Sequence, residues 1–331
     1  MASVTDTSST ASPSAGRSFV RRVLQQRELS VFFVVVLLAT LLALTSKNFL
    51  NRANLNAVIL GLSFDMIMAV GMTILMVSGG FDLSVGAVLA LAGAVAGYAM
   101  AFMHVPWPLA VVLGLMTGAF VGLLNGLLVS KVKVNPLIAT LGMMQIARGA
   151  VFLLTSGLGI PNLPQRFNEI AQGKLFGLQF PVYVMVFCVI VGDILLRRSR
   201  YFRQSYFVGG NERSARLSGI RVSRVQIANY MIAGLMAAVS GLLLTARFGS
   251  ASVSAGNGAE LRVISAVVIG GASLAGGEGT ILGAFLGVTL MALINNGLNL
   301  LGINVYWQTI VIGAVLIIAV AADSLSRRNR S

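Results

Sequence analysis

The sequence is nearly without the side chains that most enzymes use. Its single cysteine, Cys188, lies inside an apolar run, which excludes a disulfide framework and a cysteine-ligated metal. Its single histidine, His104, precedes Pro106 in a short turn, so neither an H-E-x-x-H zinc motif nor a histidine-based triad can be built. No G-x-x-x-x-G-K-[ST] loop occurs; Gly173-Lys174 is followed by Leu175. The chain has no visible means of hydrolysing a nucleotide and no metal or cofactor ligands of its own. Charge is also scarce. Only 10% of residues are charged, against about 25% in a soluble domain, too few to coat a water-facing surface. Acidic residues are the rarest, 10 against 24 basic, for a net charge of +14. That balance alone would admit a nucleic-acid partner. The basic residues, however, are not interleaved with aromatics; they form short clusters between apolar runs, as cytoplasmic membrane loops do.

What is abundant is apolar. Hydrophobic residues make up 56% of the 331 positions, and glycine outnumbers proline 37 to 7. Small residues let membrane helices pack closely. A bilayer core of about 30 Å takes roughly 20 apolar residues per helix. On that ruler the sequence holds about ten spans, at 30–46, 56–78, 83–103, 107–130, 136–156, 180–196, 227–246, 261–276, 280–300 and 305–323. The expectation is an all-α polytopic membrane protein with a transmembrane domain over 30–323. Spans two, three and eight are open to being broken or re-entrant, the eighth being short and glycine-rich. Residues 1–29 read as a disordered basic tail with no small-residue cleavage site, and 324–331 as a second short tail.

Orientation follows from the cations. With both termini in the cytoplasm, the inside segments hold the N-terminal arginines, Lys131, Lys133, the arginines from Arg197 to Arg224 and the C-terminal arginines. That is most of the basic residues, a strong positive-inside bias. The longest outside loop is 157–179 and the longest inside loop 197–226. A faint repeat is also present. Asp82-Leu83-Ser84-Val85 follows Gly79-Gly80, and Glu260-Leu261-Arg262-Val263 follows Gly256 and Gly258. With five spans per half, the second copy must be inverted, as in many transporters.

Several polar residues sit where lipid would penalise them. Asp82, at the mouth of a span, reads either as a pathway carboxylate or as a cap on the helix it precedes, and Glu260 has the same two readings. Asp65 lies well inside the second span and must face a partner or water. Arg148 and Asp193 are its candidate partners, Asp193 reading more simply as an ion pair with Arg197. The span amides Asn125, Gln145, Asn295, Asn296 and Asn299 either line a polar path or bond neighbouring helices; Asn295 and Asn299 share one helix face. In the inside loop, Asn211 can start a short helix and Gly219 can end it, with Glu212 and Arg216 one turn apart and Ala215 and Ser218 forming a small face.

Three motifs then add a resemblance. Gly209-Gly210-Asn211-Glu212-Arg213-Ser214-Ala215-Arg216-Leu217-Ser218-Gly219-Ile220 resembles the G-N-x-x-A-A-x-x-S-G-I coupling segment of bacterial ABC permeases of the ribose type, with Ser214 in place of the first alanine. Gly79-Gly80-Phe81-Asp82-Leu83-Ser84-Val85-Gly86 resembles G-G-I-D-L-S-V-G, and residues 270–280 resemble G-G-x-S-L-x-G-G-x-G-T. The resemblance implies a non-catalytic subunit of a sugar importer in a bacterial inner membrane. Its partners would be a cytoplasmic ATPase that binds the ATP, a second permease copy or homologue, and a periplasmic sugar-binding protein. It further implies coupling through Asn211, Glu212, Ala215, Arg216, Ser218 and Gly219; the candidate pathway residues for such a solute are Asp65, Phe81, Asp82, Asn125, Asn295 and Asn299, of which Asp65 stands where the family is usually apolar. Phe81 departs from the family's isoleucine. The outside cations Arg52, Arg166, Lys174 and Arg247 would receive the binding protein. The rival is a secondary transporter coupled to an ion gradient through Asp65 or Asp82.

Overall fold

The computed structural model describes residues 27–328. The expected N-terminal tail up to residue 26, and residues 329–331, lie outside the described residues. The helices are α1 (Arg27–Thr45), α2 (Arg52–Val77), α3 (Val85–Ala101), α4 (Trp107–Ser130), α5 (Pro136–Thr155), α6 (Gln165–Gln172), α7 (Phe180–Arg198), α8 (Arg200–Gly210), α9 (Glu212–Leu217), α10 (Val222–Phe248), α11 (Ala259–Ile269), α12 (Ile281–Leu300) and α13 (Val305–Arg328). Strands β1 (Lys174–Leu175) and β2 (Leu178–Gln179) form a hairpin between α6 and α7. Phe176 and Gly177 both take positive φ there, as a type I′ turn requires. Helix α13 continues through 324–328, where the sequence suggested a tail.

Among the described residues, seven helices, α1, α2, α4, α5, α7, α10 and α12, are long and apolar enough to cross a membrane. Helix α3 and residues 306–321 of α13 are apolar but shorter. The expected span 261–276 is not one helix. Helix α11 has 11 residues, about 16 Å at 1.5 Å per residue, or half a bilayer. It ends in the glycine-rich loop 270–280, where Gly271, Gly276, Gly277 and Gly279 take positive φ that side-chain-bearing residues resist.

Helix α10 is the central post, packed on α4, α2 and α3. Its approach to α4 is a backbone contact. A Cβ added to Gly118 would lie 2.4 Å from the Gly234 carbonyl oxygen, and one on Gly122 would lie 2.3 Å from that of Tyr230. With no hydrophobic driving force between helices in lipid, such close van der Waals packing holds the bundle together. The periphery is lipid-like: Leu37, Leu41 and Leu44 of α1 are exposed. The two repeat segments touch as well. A Cβ on Gly86, in the first turn of α3, would lie 2.5 Å from the Gly256 carbonyl oxygen, just before α11. Two short helices starting against each other is the arrangement that inverted halves produce.

Candidate functional site

A cavity of about 380 Å³ opens between α2, α10, α11 and α12. Helix α2 contributes Gly61, Phe64, Asp65 and Met68, positions three and four apart that share one helix face. Helix α12 contributes Asn295, Asn296 and Asn299, and α11 contributes Arg262. The Arg262 Nε donates to Asp65 Oδ2 at 2.7 Å, and Nη2 donates to Oδ1 at 2.9 Å. This bidentate fork answers what Asp65 pairs with inside an apolar span. It corrects both candidates from the sequence. The Arg148 guanidinium donates instead to the carbonyls of Ala255 (2.7 Å) and Val253 (3.3 Å), and Asp193 accepts from Arg197 at 2.8 Å. The sequence places Arg262 at the start of the expected span 261–276 and offers it no role. The available signal was the second repeat itself, which sets Arg262 at the start of a short helix beside the other half.

The amides divide by role. Asn296 and Asn54 bond reciprocally, at 2.7 and 3.2 Å, and tie α12 to α2. Asn299 accepts from Gln308 at 2.7 Å. The Asn295 Oδ1 is buried with no hydrogen-bond partner among the described residues. Asn295 and Asn299 therefore join Asp65 at one cavity.

Asp82, Asn125 and Phe81 do not line it. Asp82 and Asn125 are inaccessible to solvent. Asp82 Oδ1 accepts from the Ser84 backbone N–H at 2.7 Å and its hydroxyl at 2.6 Å, while the Asn125 amide donates to Asp82 Oδ2 at 3.1 Å. The carboxylate closes the turn before α3 and ties it to α4. It does not cap the first helical amides, and it does not reach the cavity. The Phe81 carbonyl accepts from the Tyr230 hydroxyl at 3.1 Å, which fixes the same turn to α10.

Three of the four cations expected outside converge. Arg52, Lys174 and Arg247 line a second cavity of about 580 Å³, which shares Ala57 and Arg247 with the first. The Arg247 guanidinium lies 5.7 Å from the Phe64 ring and 5.5 Å from that of Phe248, within cation–π range. Arg166 is exposed on α6, away from both cavities.

The inside loop folds as its capping residues predict. The Asn211 side chain accepts from the Ser214 N–H at 2.9 Å, and Gly219 ends the helix at φ 83°. Ala215 is buried with Val208, Val222 and Val225, seating α9 on the start of α10. Glu212 pairs with Arg216 at 2.6 Å and Lys133 at 3.3 Å. Partial burial would raise the Glu212 carboxyl, but the Arg216 hydrogen bond and the Lys133 charge outweigh it and hold it below its ordinary value. Leu217 is 83% exposed at the tip, an apolar knob missed in the sequence because a lone leucine in a basic loop carries no periodicity.

The three glycine motifs meet. A Cβ on Gly209 would lie 2.0 Å from the Val77 carbonyl oxygen, and one on Gly276 would lie 2.8 Å from Gly79 Cα and 2.7 Å from Gly209 Cα. The Gly277 N–H donates to Val77 O at 2.9 Å, and the Tyr206 hydroxyl to Gly279 O at 2.7 Å. Helix α8, which leads into α9, is thus locked by backbone contact to the ends of α2 and of the loop preceding α12. Those are two of the helices that line the polar cavity.

Residues 54–320 match the family described as branched-chain amino acid transport system / permease component. The chain is 38% identical to the ribose import permease protein RbsC of Escherichia coli, over 94% of this chain and 97% of that one. It is 40% identical to the RbsC of Bacillus subtilis, over 90% and 92%. It is 35% identical to the L-arabinose transport system permease protein AraH of Escherichia coli, over 97% of each. A glycine-sealed membrane bundle matched almost end to end makes the chain a member of the branched-chain amino acid transport system permease component family.

Proposed function

We propose that this chain is the membrane-spanning, non-catalytic subunit of an ABC importer that carries a monosaccharide or similar polyhydroxylated solute into the cytoplasm. The observation that carries this reading is the glycine junction. It joins a compact cytoplasmic helix to the two helices whose polar faces line the cavity. A partner ATPase grips α9 around Leu217 and Ser218, with Ala215 seating that helix on α10, and its closure moves α8 and α9 as one piece. Gly209 passes the push to Val77, and α2 carries it inward. Asp65 lies about 18 Å up the same helix at 1.5 Å per residue, so a tilt at the junction displaces the cavity wall.

On this reading the chain has ten spans with both termini in the cytoplasm of a bacterial inner membrane, and it works beside a second permease, a copy or a homologue. A periplasmic binding protein delivers the solute at the cationic vestibule of Arg52, Lys174 and Arg247. The pathway binds weakly, because a tight site holds its solute instead of passing it on. The relatives named for ribose and L-arabinose support a sugar as cargo. The ion-coupled rival is disfavoured by the geometry of its two carboxylates. Asp65 is held by a guanidinium fork, and Asp82 is sealed in a turn.

The test is reconstitution of this chain with its ATPase and binding protein in proteoliposomes. Uptake that requires ATP and the binding protein is expected. Uptake by this chain alone, driven by an ion gradient, would overturn the proposal.

A further inference from the structure

The cavity carries more than a path. Resting on the importer reading above, we infer that the Asp65–Arg262 pair is the solute-reading element of this permease and that it recognises a vicinal diol on an uncharged polyol. Three observations support this. The first is charge: the pair is mutually neutralised, so its own field is that of a dipole, while Arg247, the cation that also lines the cavity, lies against the Phe64 and Phe248 rings. A dipole favours hydroxyl groups, which donate and accept, over a net ion.

The second is unused hydrogen-bonding capacity. Arg262 has five N–H donors and spends two on Asp65, leaving three; each Asp65 oxygen accepts one bond and keeps a lone pair. Acceptor and donor thus sit side by side on one rigid plane at the cavity wall. Neighbouring hydroxyls on a sugar ring, one accepting from the guanidinium and one donating to the carboxylate, complete that plane.

The third lies on the facing helix. The buried Asn295 Oδ1 has no partner among the described residues, and such an acceptor is costly unless a guest supplies a donor. Asn296 is committed to Asn54, and the Asn299 oxygen accepts from Gln308, so Asn295 carries the α12 carbonyl oxygen left for a third hydroxyl. The Phe64 ring forms part of the same wall, and the volume of about 380 Å³ falls in the range of small-molecule sites.

The experiment uses the full transport complex in nanodiscs and saturation-transfer NMR, which detects weak ligands. The probes are D-ribose, L-arabinose, D-galactose, 2-deoxy-D-ribose and the anion D-galacturonate. Two variants are compared with wild type: Asp65→Leu with Arg262→Leu, and the swap Asp65→Arg with Arg262→Asp. Replacing a half-buried pair by packed apolar residues usually preserves a fold, and an unfolding temperature and ATPase co-purification equal to wild type check that the leucine variant is folded and assembled. Wild type should bind at least one neutral sugar more strongly than D-galacturonate, and 2-deoxy-D-ribose more weakly than D-ribose. The leucine variant should lose the neutral-sugar signal at least tenfold, and the swap should bind with a changed order among the sugars. Undiminished sugar binding in the leucine variant, an unchanged order in the swap, or preference for D-galacturonate would overturn the inference. Failure of the importer reading shows separately, as absence of ATP-dependent uptake in wild type.

Discussion

Adding one methyl group at Gly209 tests the junction directly. The Cβ of Gly209→Ala would stand 2.0 Å from the Val77 carbonyl oxygen and 2.6 Å from the Gly277 nitrogen, where ordinary contact begins near 3.4 Å. Neither neighbour is a flexible side-chain end, and the two are bonded to each other at 2.9 Å. The junction must open by more than an ångström or lose that bond. Overpacking a close-fitting contact costs about 1–3 kcal/mol and the lost hydrogen bond about 1 kcal/mol. A total of about 2–4 kcal/mol disfavours the closed junction roughly 30- to 900-fold. The neighbouring Gly210 supplies the control, since a Cβ there meets nothing within 4 Å. In reconstituted complexes Gly209→Ala should keep its ATPase activity yet transport at least tenfold more slowly, with a lowered unfolding temperature. Gly210→Ala should match wild type in all three. Equal transport and equal unfolding in the two variants would refute the argument that this contact is tight and transmits motion.

Leu217→Glu, at the exposed tip of α9, should leave unfolding unchanged and abolish co-purification of the ATPase; retained co-purification would place the grip elsewhere. Asn125→Leu removes a donor from the sealed Asp82 carboxylate and should destabilise the chain by about 2–3 kcal/mol, read by thermal unfolding, while Asp82→Asn with the same mutation should recover part of the loss because no charge then stays buried. Glu212, held below its ordinary carboxyl value of 4.5, adds stability to α9 that is complete above that pH and fades as pH falls through the lower folded value. Amide exchange in α9 should therefore be flat from pH 7 to pH 5, after correction for intrinsic rates, and rise below pH 4.5. The effect is small, because both ion pairs are largely solvent-screened.

The polar pairings show where sequence reading stops. A carboxylate at Asp65 announces that a cation must be near, since lipid offers no other partner. Which cation depends on where α11 starts and how deep it sits, and that is decided by the Gly86–Gly256 backbone contact. Asp82 admits both a cap and a pathway reading in the sequence, and only the structure shows the Asn125 amide closing over it. Phe81 offers a large side chain to the sequence, yet it is its carbonyl that holds the turn to Tyr230.

Hydropathy and scarcity of charge by themselves determined that the chain is a helical membrane protein, because burying backbone in lipid leaves helices as the option when no alternating strand pattern is present. Cation placement set an expected orientation, and Asn211 with Gly219 marked the ends of α9, since caps act within one turn. Which glycines touch, which arginine finds Asp65 and which asparagine keeps a free oxygen were decided only by the tertiary structure. Those are contacts between residues up to 242 positions apart, and at that separation they depend on how whole helices dock; no local spacing encodes them.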